Sequence, residues 1–358
     1  MRSLFSSPQF LGATYGLAAA ALFGISTPFA KLLLPESGPL LIAGLLYLGA
    51  GLGLLAFELL SSRRSGADPR EARVRPSDRW LLGGIVLTGG ILGPVCMLWG
   101  LQRLSAVLGS LLLNLEAPLT ILLAVVFLRE HMGRLEMAAA MLVFVGAAVL
   151  AYQPEDTRAD LLGLLAIIAA CLCWAVDNNL TQRVSLRDPV TVTRIKALGA
   201  GACTVSLAVI TGQTLPRPSI LIATFFLGLI SYGVSLVLDT YALRLLGAAR
   251  EAGLFATAPF MGAVAAIPIL GERWGSHEGL AAALMAVGVL LLLREHHAHE
   301  HTHEELEHDH AHRHEDHHTH EHDAPDHAAE PHAHPHWHLP LTHDHPHVSE
   351  AHHRHEHG

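Results

Sequence analysis

Apolar runs of about 18 to 24 residues recur between residues 1 and 294, nearly free of charge. At 1.5 Å of rise per residue, a run of that length matches a hydrocarbon core roughly 30 Å thick. Typical examples are "LLIAGLLYLGAGLGLLAFELL", "LLLNLEAPLTILLAVVFL" and "GLAAALMAVGVLLLL", rich in Leu, Ala, Val and Gly. Gly at this frequency suits close helix packing in lipid. The pattern predicts an all-α integral membrane protein of ten transmembrane helices, at approximately 12–34, 38–60, 79–101, 105–128, 135–152, 161–182, 190–211, 218–243, 248–270 and 276–293. Arg2 ahead of "LAAAALFG" has the outline of a signal peptide. The apolar run continues through Pro28 and Lys31 to Leu34, however, so the first helix is expected to be retained. Cys96, Cys171, Cys173 and Cys203 all fall inside expected spans and read as small packing residues, without a disulfide framework.

Composition has to be split before it can be used. From Glu295 onward the chain holds 25 of its 27 histidines, 15 of its 32 acidic residues and two arginines, Arg313 and Arg354. With neutral histidine that stretch carries 2 minus 15, or minus 13, whereas the body carries 21 minus 17, or plus 4. The net charge of minus nine describes neither part.

Orientation follows from the arginines, because short cytoplasmic connections retain positive charge. "SSRRSGADPREARVRPSDR" after the second helix is expected inside. Even-numbered connections then collect fourteen basic residues (Arg63, Arg64, Arg70, Arg73, Arg75, Arg79, Arg129, Arg134, Arg183, Arg187, Arg194, Lys196, Arg244 and Arg250), against Arg103, Arg158, Arg217 and Arg273 in the odd-numbered ones. Both termini are therefore expected in the cytoplasm of a cell membrane compatible with a bacterial inner membrane.

Internal similarity organises the body. "EAPLTILLAVVFLREHMGRLEMAAAMLVFVGAAVL" aligns with "TAPFMGAVAAIPILGERWGSHEGLAAALMAVGVLLL", pairing Ala117 and Pro118 with Ala258 and Pro259, Glu130 with Glu272, Gly133 with Gly275, and Gly146 with Gly288. "LFGISTPFAK" parallels "LCWAVDNNLT" more weakly. Five helices per half force the halves to insert in opposite senses, a transporter architecture with its substrate site between the repeats. The expected organisation is a short N-terminus (1–11), a first repeat (12–152), a linker (153–160), a second repeat (161–293) and a His-rich tail (294–358).

At these residues the chain resembles the drug/metabolite transporter superfamily, specifically its EamA-type members. The resemblance rests on "AP" early in a helix, a short apolar run, then "REHMG" in the first half and "GERWG" in the second, ahead of a Gly-rich helix; it covers about residues 12–293. It implies two inverted five-helix repeats around a cavity open alternately to each side, and usually export of small metabolites or toxic compounds. Pro118, Glu130, Pro259 and Glu272 are the family-motif positions. The polar "CWAVDNNLTQR" and the tail depart from the family pattern.

Ionisable residues at lipid depth are costly unless they face a cavity or find partners. Glu116 is the leading candidate for substrate or proton binding, beside Asn114 and just before Pro118, whose missing N–H frees a backbone carbonyl. A packed, protonated structural carboxyl is the alternative. Asp177 follows, with Asn178; its competing reading is a polar helix contact satisfied by Asn178 and Asn179. Asp239 lies within two turns of Arg244, so an interfacial ion pair competes with a transport role. Glu58 reads as a snorkelling interfacial residue near Arg63 and Arg64. Glu130 and Glu272 sit at helix ends and read as caps or pairs with connecting segments.

The tail runs in H-x-H and H-H steps with carboxylates and scattered prolines, and has nothing with which to bury a core. It is expected to be disordered and to bind Zn, Ni, Co or Cu ions through His296, His297, His299, His301, His303, His308, His310, His312, His314, His317, His318, His320 and His322. A passive metal buffer and a pH sensor are the competing readings. No P-loop, dinucleotide fingerprint or nucleophile elbow occurs, so neither ATP drive nor catalysis is expected and no cofactor is required. The functional expectation is a secondary transporter exporting a small metabolite or toxic compound by proton antiport. Transition-metal efflux is the alternative, and a membrane-anchored metal buffer a third class. Expected partners are a small-molecule or ion substrate, the bilayer and tail metals, not nucleic acid; a homodimer is left open.

Overall fold

The structure, a computed structural model, describes residues 8–62, 73–128, 133–152, 160–184, 187–246, 248–294, 297–303, 306–312, 332–338 and 341–347. Among the described residues nine helices are long and apolar enough to cross a membrane: α1 (Phe10–Glu36), α2 (Pro39–Leu60), α3 (Pro76–Arg103), α4 (Ala106–Phe127), α5 (Arg134–Ala151), α6 (Leu161–Gln182), α7 (Pro189–Ile210), α8 (Pro218–Leu243) and α9 (Gly253–Leu270). A tenth, α10 (Ser276–Leu292), is shorter and equally apolar in character. Large apolar side chains point outward along these helices; Trp80, Phe127 and Ile210 are each more than three-quarters exposed. A soluble protein would have to cover such a surface, whereas lipid solvates it.

The helix pairings show how the halves are related. The principal contacts join α2 to α7, α5 to α10, α4 to α9, α1 to α8 and α9, α6 to α3 and α4, α2 to α8, and α3 to α7. Exchanging each helix for its counterpart five places away returns the same set. The α1–α8 contact becomes α6–α3, α1–α9 becomes α6–α4, and α2–α8 becomes α7–α3, while α2–α7, α4–α9 and α5–α10 map onto themselves. Two five-helix units facing one another account for that closure, and the α5–α10 contact carries it down to single residues. A Cβ on Gly146 would come within 2.7 Å of Met285, and one on its repeat mate Gly288 within 2.8 Å of the Ala139 carbonyl oxygen. Lipid tails are as apolar as Leu, so close backbone approach replaces the hydrophobic effect as the source of helix association.

The helices are less regular than the sequence predicts, and the irregularities repeat. The middle of α3 and of α8 is π-helical, at Val86–Leu92 and Leu229–Val234. α4 passes through a three-residue 3₁₀ turn, Leu113–Leu115, between Ala106–Leu112 and Glu116–Leu123. The expected single helix over 248–270 is instead two, Ala248–Phe255 and Ala258–Leu270. The breaks in α4 and ahead of Ala258–Leu270 each lie just before the proline of the repeated "AP" pair, where the missing N–H and the ring clash disrupt the preceding turn. At the centre, Phe23, Tyr47, Trp174 and Tyr232 bring rings from α1, α2, α6 and α8 together at centroid separations of 5.3 to 6.0 Å.

The described parts of the tail are four short segments. Four seven-residue strands, β1 (His297–His303), β2 (Leu306–His312), β3 (His332–His338) and β4 (Leu341–His347), pair antiparallel as β1–β4 and β2–β3. Histidine at every second position along these segments matches the period of a strand. In register, His299 faces His345, His301 faces His343, His308 faces His336 and His310 faces His334.

Candidate functional site

The break in α4 places Glu116 halfway along the helix, at the start of its second segment. Oε1 of Glu116 accepts a hydrogen bond of 2.8 Å from Nδ2 of Asn178 on α6. The carbonyl of Glu116 accepts from the Thr120 hydroxyl at 2.9 Å, and Asn179 donates to the carbonyls of Thr120 (3.2 Å) and Ala175 (2.8 Å). Asn114, in the 3₁₀ turn, donates to the Leu111 carbonyl at 3.0 Å and leaves its own Oδ1 buried without a partner. Pro118 is buried one turn further on and supplies no N–H to the Asn114 carbonyl. Glu116 and Asn178 thus meet at the break in α4, whereas the Asn114 amide bonds to its own helix.

Asp177 faces a different way. Its Oδ2 takes a hydrogen bond of 2.5 Å from Nζ of Lys196 on α7, and both side chains are at least nine-tenths buried. Its Oδ1 is buried without a partner. The carboxylate lies against the π segment of α3, where a Cβ on Gly89 would sit 2.1 Å from it. The Gly89 carbonyl in turn accepts from the Tyr47 hydroxyl at 2.8 Å and the Trp174 indole N–H at 3.2 Å. A π segment on α3 thus organises donors from α2 and α6 around an ion pair joining α6 to α7. The expected local satisfaction of Asp177 by Asn178 and Asn179 does not occur, because those two amides serve α4.

Lys196 corrects the charge count as well. The sequence places it in a connection, yet it lies in the second turn of α7 with Arg194, which pairs with Glu58 of α2. Glu58 is therefore in an interhelical ion pair with Arg194; Arg63 and Arg64, its expected neighbours, lie outside the described residues. Asp239 lies within electrostatic range of Glu251, on the short helix leading into α9. Sequence reasoning missed Glu251 because it stands just outside an apolar run; a carboxyl inside the 248–270 span was the available signal.

The motif residues prove structural where they are described. Glu272, beyond the end of α9, accepts 2.8 Å hydrogen bonds from the backbone N–H groups of Ala106 and Val107 and meets Lys31 Nζ at 3.3 Å. It thereby caps the orphan donors at the start of α4 and holds α1 beside them. Pro259 opens the second segment of α9. Glu130 lies outside the described residues, as do His296, His314, His317, His318, His320 and His322; His297, His299, His301 and His303 lie on β1 and His308, His310 and His312 on β2. Among the described residues no three His, Cys, Asp or Glu side chains converge as a metal site.

Residues 10–152 and 161–294 each match the EamA-like transporter family. The chain belongs to that family. The two matches coincide with the two halves related by the helix pairings, so this EamA-like chain is a multi-pass membrane transporter of the drug/metabolite transporter superfamily. An uncharacterized transporter of Methanothermobacter thermautotrophicus is 27% identical over 290 residues, covering 77% of this chain and 84% of its own. A protein of known crystal structure superimposes with a TM-score of 0.60 at 19% identity, over 79% of this chain and 98% of its own length, a likeness in fold alone.

Proposed function

We propose that this transporter exports a small metabolite or toxic compound in exchange for protons, with Glu116 as the group where proton and substrate compete. The observation that carries the reading is the position of Glu116: a carboxyl at the break of α4, on the α4–α6 contact between the repeats, held by one neutral donor, Asn178. An ionised carboxylate there is costly unless a proton or a cation neutralises it. Among the described residues, Lys196 is the cation whose charge acts on Glu116, Asp177 and Asp239, so substrates carrying positive charge are favoured. With Arg194 and Lys196 removed from the connections, fourteen minus two leaves twelve basic residues against four, which still supports cytoplasmic termini in an inner membrane.

Everted vesicles test this reading through proton-driven uptake of cationic dyes, amino acids, nickel, cobalt and zinc. Glu116→Gln keeps an oxygen that accepts from Asn178, so the variant should fold and lose proton-driven uptake. Normal uptake by that variant would remove Glu116 from its role.

The tail supports a second, peripheral activity. Facing histidines in the β1–β4 and β2–β3 registers, spaced two residues apart along each strand, suit imidazole ligation of Zn, Ni, Co or Cu. Equilibrium dialysis of nickel against the full chain and a chain lacking 295–358 should show the metal bound through the tail. Metal efflux draws its support from the tail and from the acidic groups on α4, α6 and α8; nickel uptake that survives tail removal but not Glu116→Gln would establish it.

A further inference from the structure

Three consecutive residues of α6, Asp177, Asn178 and Asn179, stand where the aligned stretch of α1 has Thr27, Pro28 and Phe29, so this polar turn belongs to one repeat only. Successive residues on a helix point about 100° apart, and these three reach two different helices. Oδ2 of Asp177 accepts from Lys196 Nζ on α7 at 2.5 Å, Asn178 Nδ2 donates to Glu116 Oε1 on α4 at 2.8 Å, and Asn179 Nδ2 donates to the Thr120 carbonyl, also on α4, at 3.2 Å. Asn178 continues the stripe formed by Cys171, Trp174 and Ala175, which are at most 5% exposed, yet it is itself exposed. The packed interior therefore opens at Asn178, and the partly exposed Glu116 that it bonds shares the opening.

The Asp177–Lys196 pair is seated on backbone. At Gly89, in the π segment of α3, a Cβ would sit 2.1 Å from the Asp177 carboxyl, and at the next residue, Gly90, one would sit 3.6 Å from Lys196 Cγ. Two glycines thus let a carboxylate and a lysine stem lie against the same widened turn. The Gly89 carbonyl accepts from Tyr47 and Trp174, so the turn itself is held from α2 and α6. A rotation of α6 by about 20° would carry an atom roughly 6 Å from the helix axis through roughly 2 Å, which breaks a hydrogen bond of ordinary length. Whatever fixes the azimuth of α6 therefore decides whether Asn178 reaches Glu116.

We propose that Lys196 is a positioning residue of transport: by holding Asp177 against the π segment of α3, it fixes the azimuth of α6 at which Asn178 donates to Glu116. This rests on the reading of Glu116 as the exchanging group. The influence of Lys196 passes along the chain from Asp177 to Asn178, and release of the pair turns Asn178 away and leaves the Glu116 carboxyl without its donor. Lys196 also lies within electrostatic range of Glu116, so position and charge have to be separated by experiment.

Infrared difference spectroscopy of the full chain in lipid vesicles at acid pH reads the carboxyl C=O stretch of Glu116, identified as the band that Glu116→Gln removes. Asn178→Ala should move that band to higher frequency, since its oxygen loses a donor. Gly89→Ala, which displaces Asp177 while leaving both charges in place, and the charge-free pair Asp177→Asn/Lys196→Met should each reproduce the shift. Neither should move it further once Asn178→Ala is present, whereas independent structural defects add. In everted vesicles the same variants should take up a cationic dye roughly tenfold more slowly, the scale of one lost hydrogen bond to a charged group, with no added loss in the Asn178→Ala background. A band that keeps its wild-type position in both folded variants, or a shift seen only in the charge-free pair, overturns the proposal; the second result means that Lys196 acts through its charge alone. Additive losses overturn it as well. Failure of the Glu116 reading looks different: the band shifts as expected, but no proton gradient drives uptake and Glu116→Gln changes nothing.

Discussion

α1 and α6 are counterparts in the two repeats, and they solve the same packing problem with opposite chemistry. α1 lies on α9 through small residues: a Cβ on Gly24 would sit 2.1 Å from the Ala258 carbonyl oxygen, and one on Gly262 would sit 2.7 Å from the Gly24 carbonyl oxygen. α6 lies on α4 through amides and a carboxyl, with Asn178 on Glu116 and Asn179 on the Thr120 carbonyl. The repeated "AP" pair breaks both α4 and α9, but the residue before it is Glu116 in the first repeat and Thr257 in the second. Duplication thus supplied the backbone device twice, and charge was placed at one copy. The tight contact has no room to slide. The polar one can exchange partners with water or substrate, so it is the side on which transport chemistry belongs.

The largest effect should come from filling the tight contact. Gly24→Leu drives a whole side chain into backbone that cannot move aside, the severe end of overpacking; folded yield in detergent, measured by size-exclusion chromatography, should collapse. The equivalent change on the polar side, Asn178→Leu, should leave yield near wild type and reduce transport. Equal loss of yield for both would erase the distinction between the two contacts.

Next in size is the ion pair that anchors α6 to α7. Lys196→Met leaves Asp177 buried and uncompensated, and removing one partner of a buried pair costs roughly 3–5 kcal/mol. The double change Asp177→Asn/Lys196→Met removes the charge altogether and should recover most of the thermal stability while transport stays impaired. If the single variant melts like the wild type, the pair is not holding these helices. Gly89→Ala belongs to the same experiment, since a methyl there displaces the Asp177 carboxylate.

These contrasts also mark what the amino-acid sequence could disclose. Run length revealed the helices, and the Ala117–Pro118 and Ala258–Pro259 alignment revealed the duplication, because both are properties of position along the chain. Glu116 and Asp177 stood out because a carboxyl within an apolar run has few explanations. Their partners did not. Depth in a helix says nothing of azimuth, so Asp177 gave no sign of choosing Lys196 over its neighbours Asn178 and Asn179. Nor did the residues around Asp239 point to Glu251. Lys196 was hidden by the habit of assigning basic residues near a span's end to the connection. The helix breaks were half visible: proline forbids the regular turn, but a helix can answer by kinking, by a 3₁₀ turn or by splitting, and packing decides which.

The smallest effect is expected where the α6–α3 contact reaches water. Its counterpart, α1 on α8, packs Gly12 against Leu245 and Leu246. At α6 the N-cap residue Asp160 instead accepts from the backbone N–H groups of Leu162 and Gly163, and from Arg103 Nη1 at the end of α3 at 2.6 Å. The Arg103 hydrogen bond, aided by the cap, holds the Asp160 carboxyl below its ordinary value. A carboxyl depressed in the folded state stabilises above its unfolded value, and that contribution is lost as pH falls through the folded one. The melting difference between wild type and Asp160→Asn should therefore be small, level around neutral pH, and fade in acid. Arg103 also stacks on Trp99, 4.4 Å from the ring centroid, so Arg103→Lys should lose more than charge alone explains. A difference that grew in acid would mean that the cap works without the guanidinium, and that the ionic contact at α6 is as passive as the apolar one at α1.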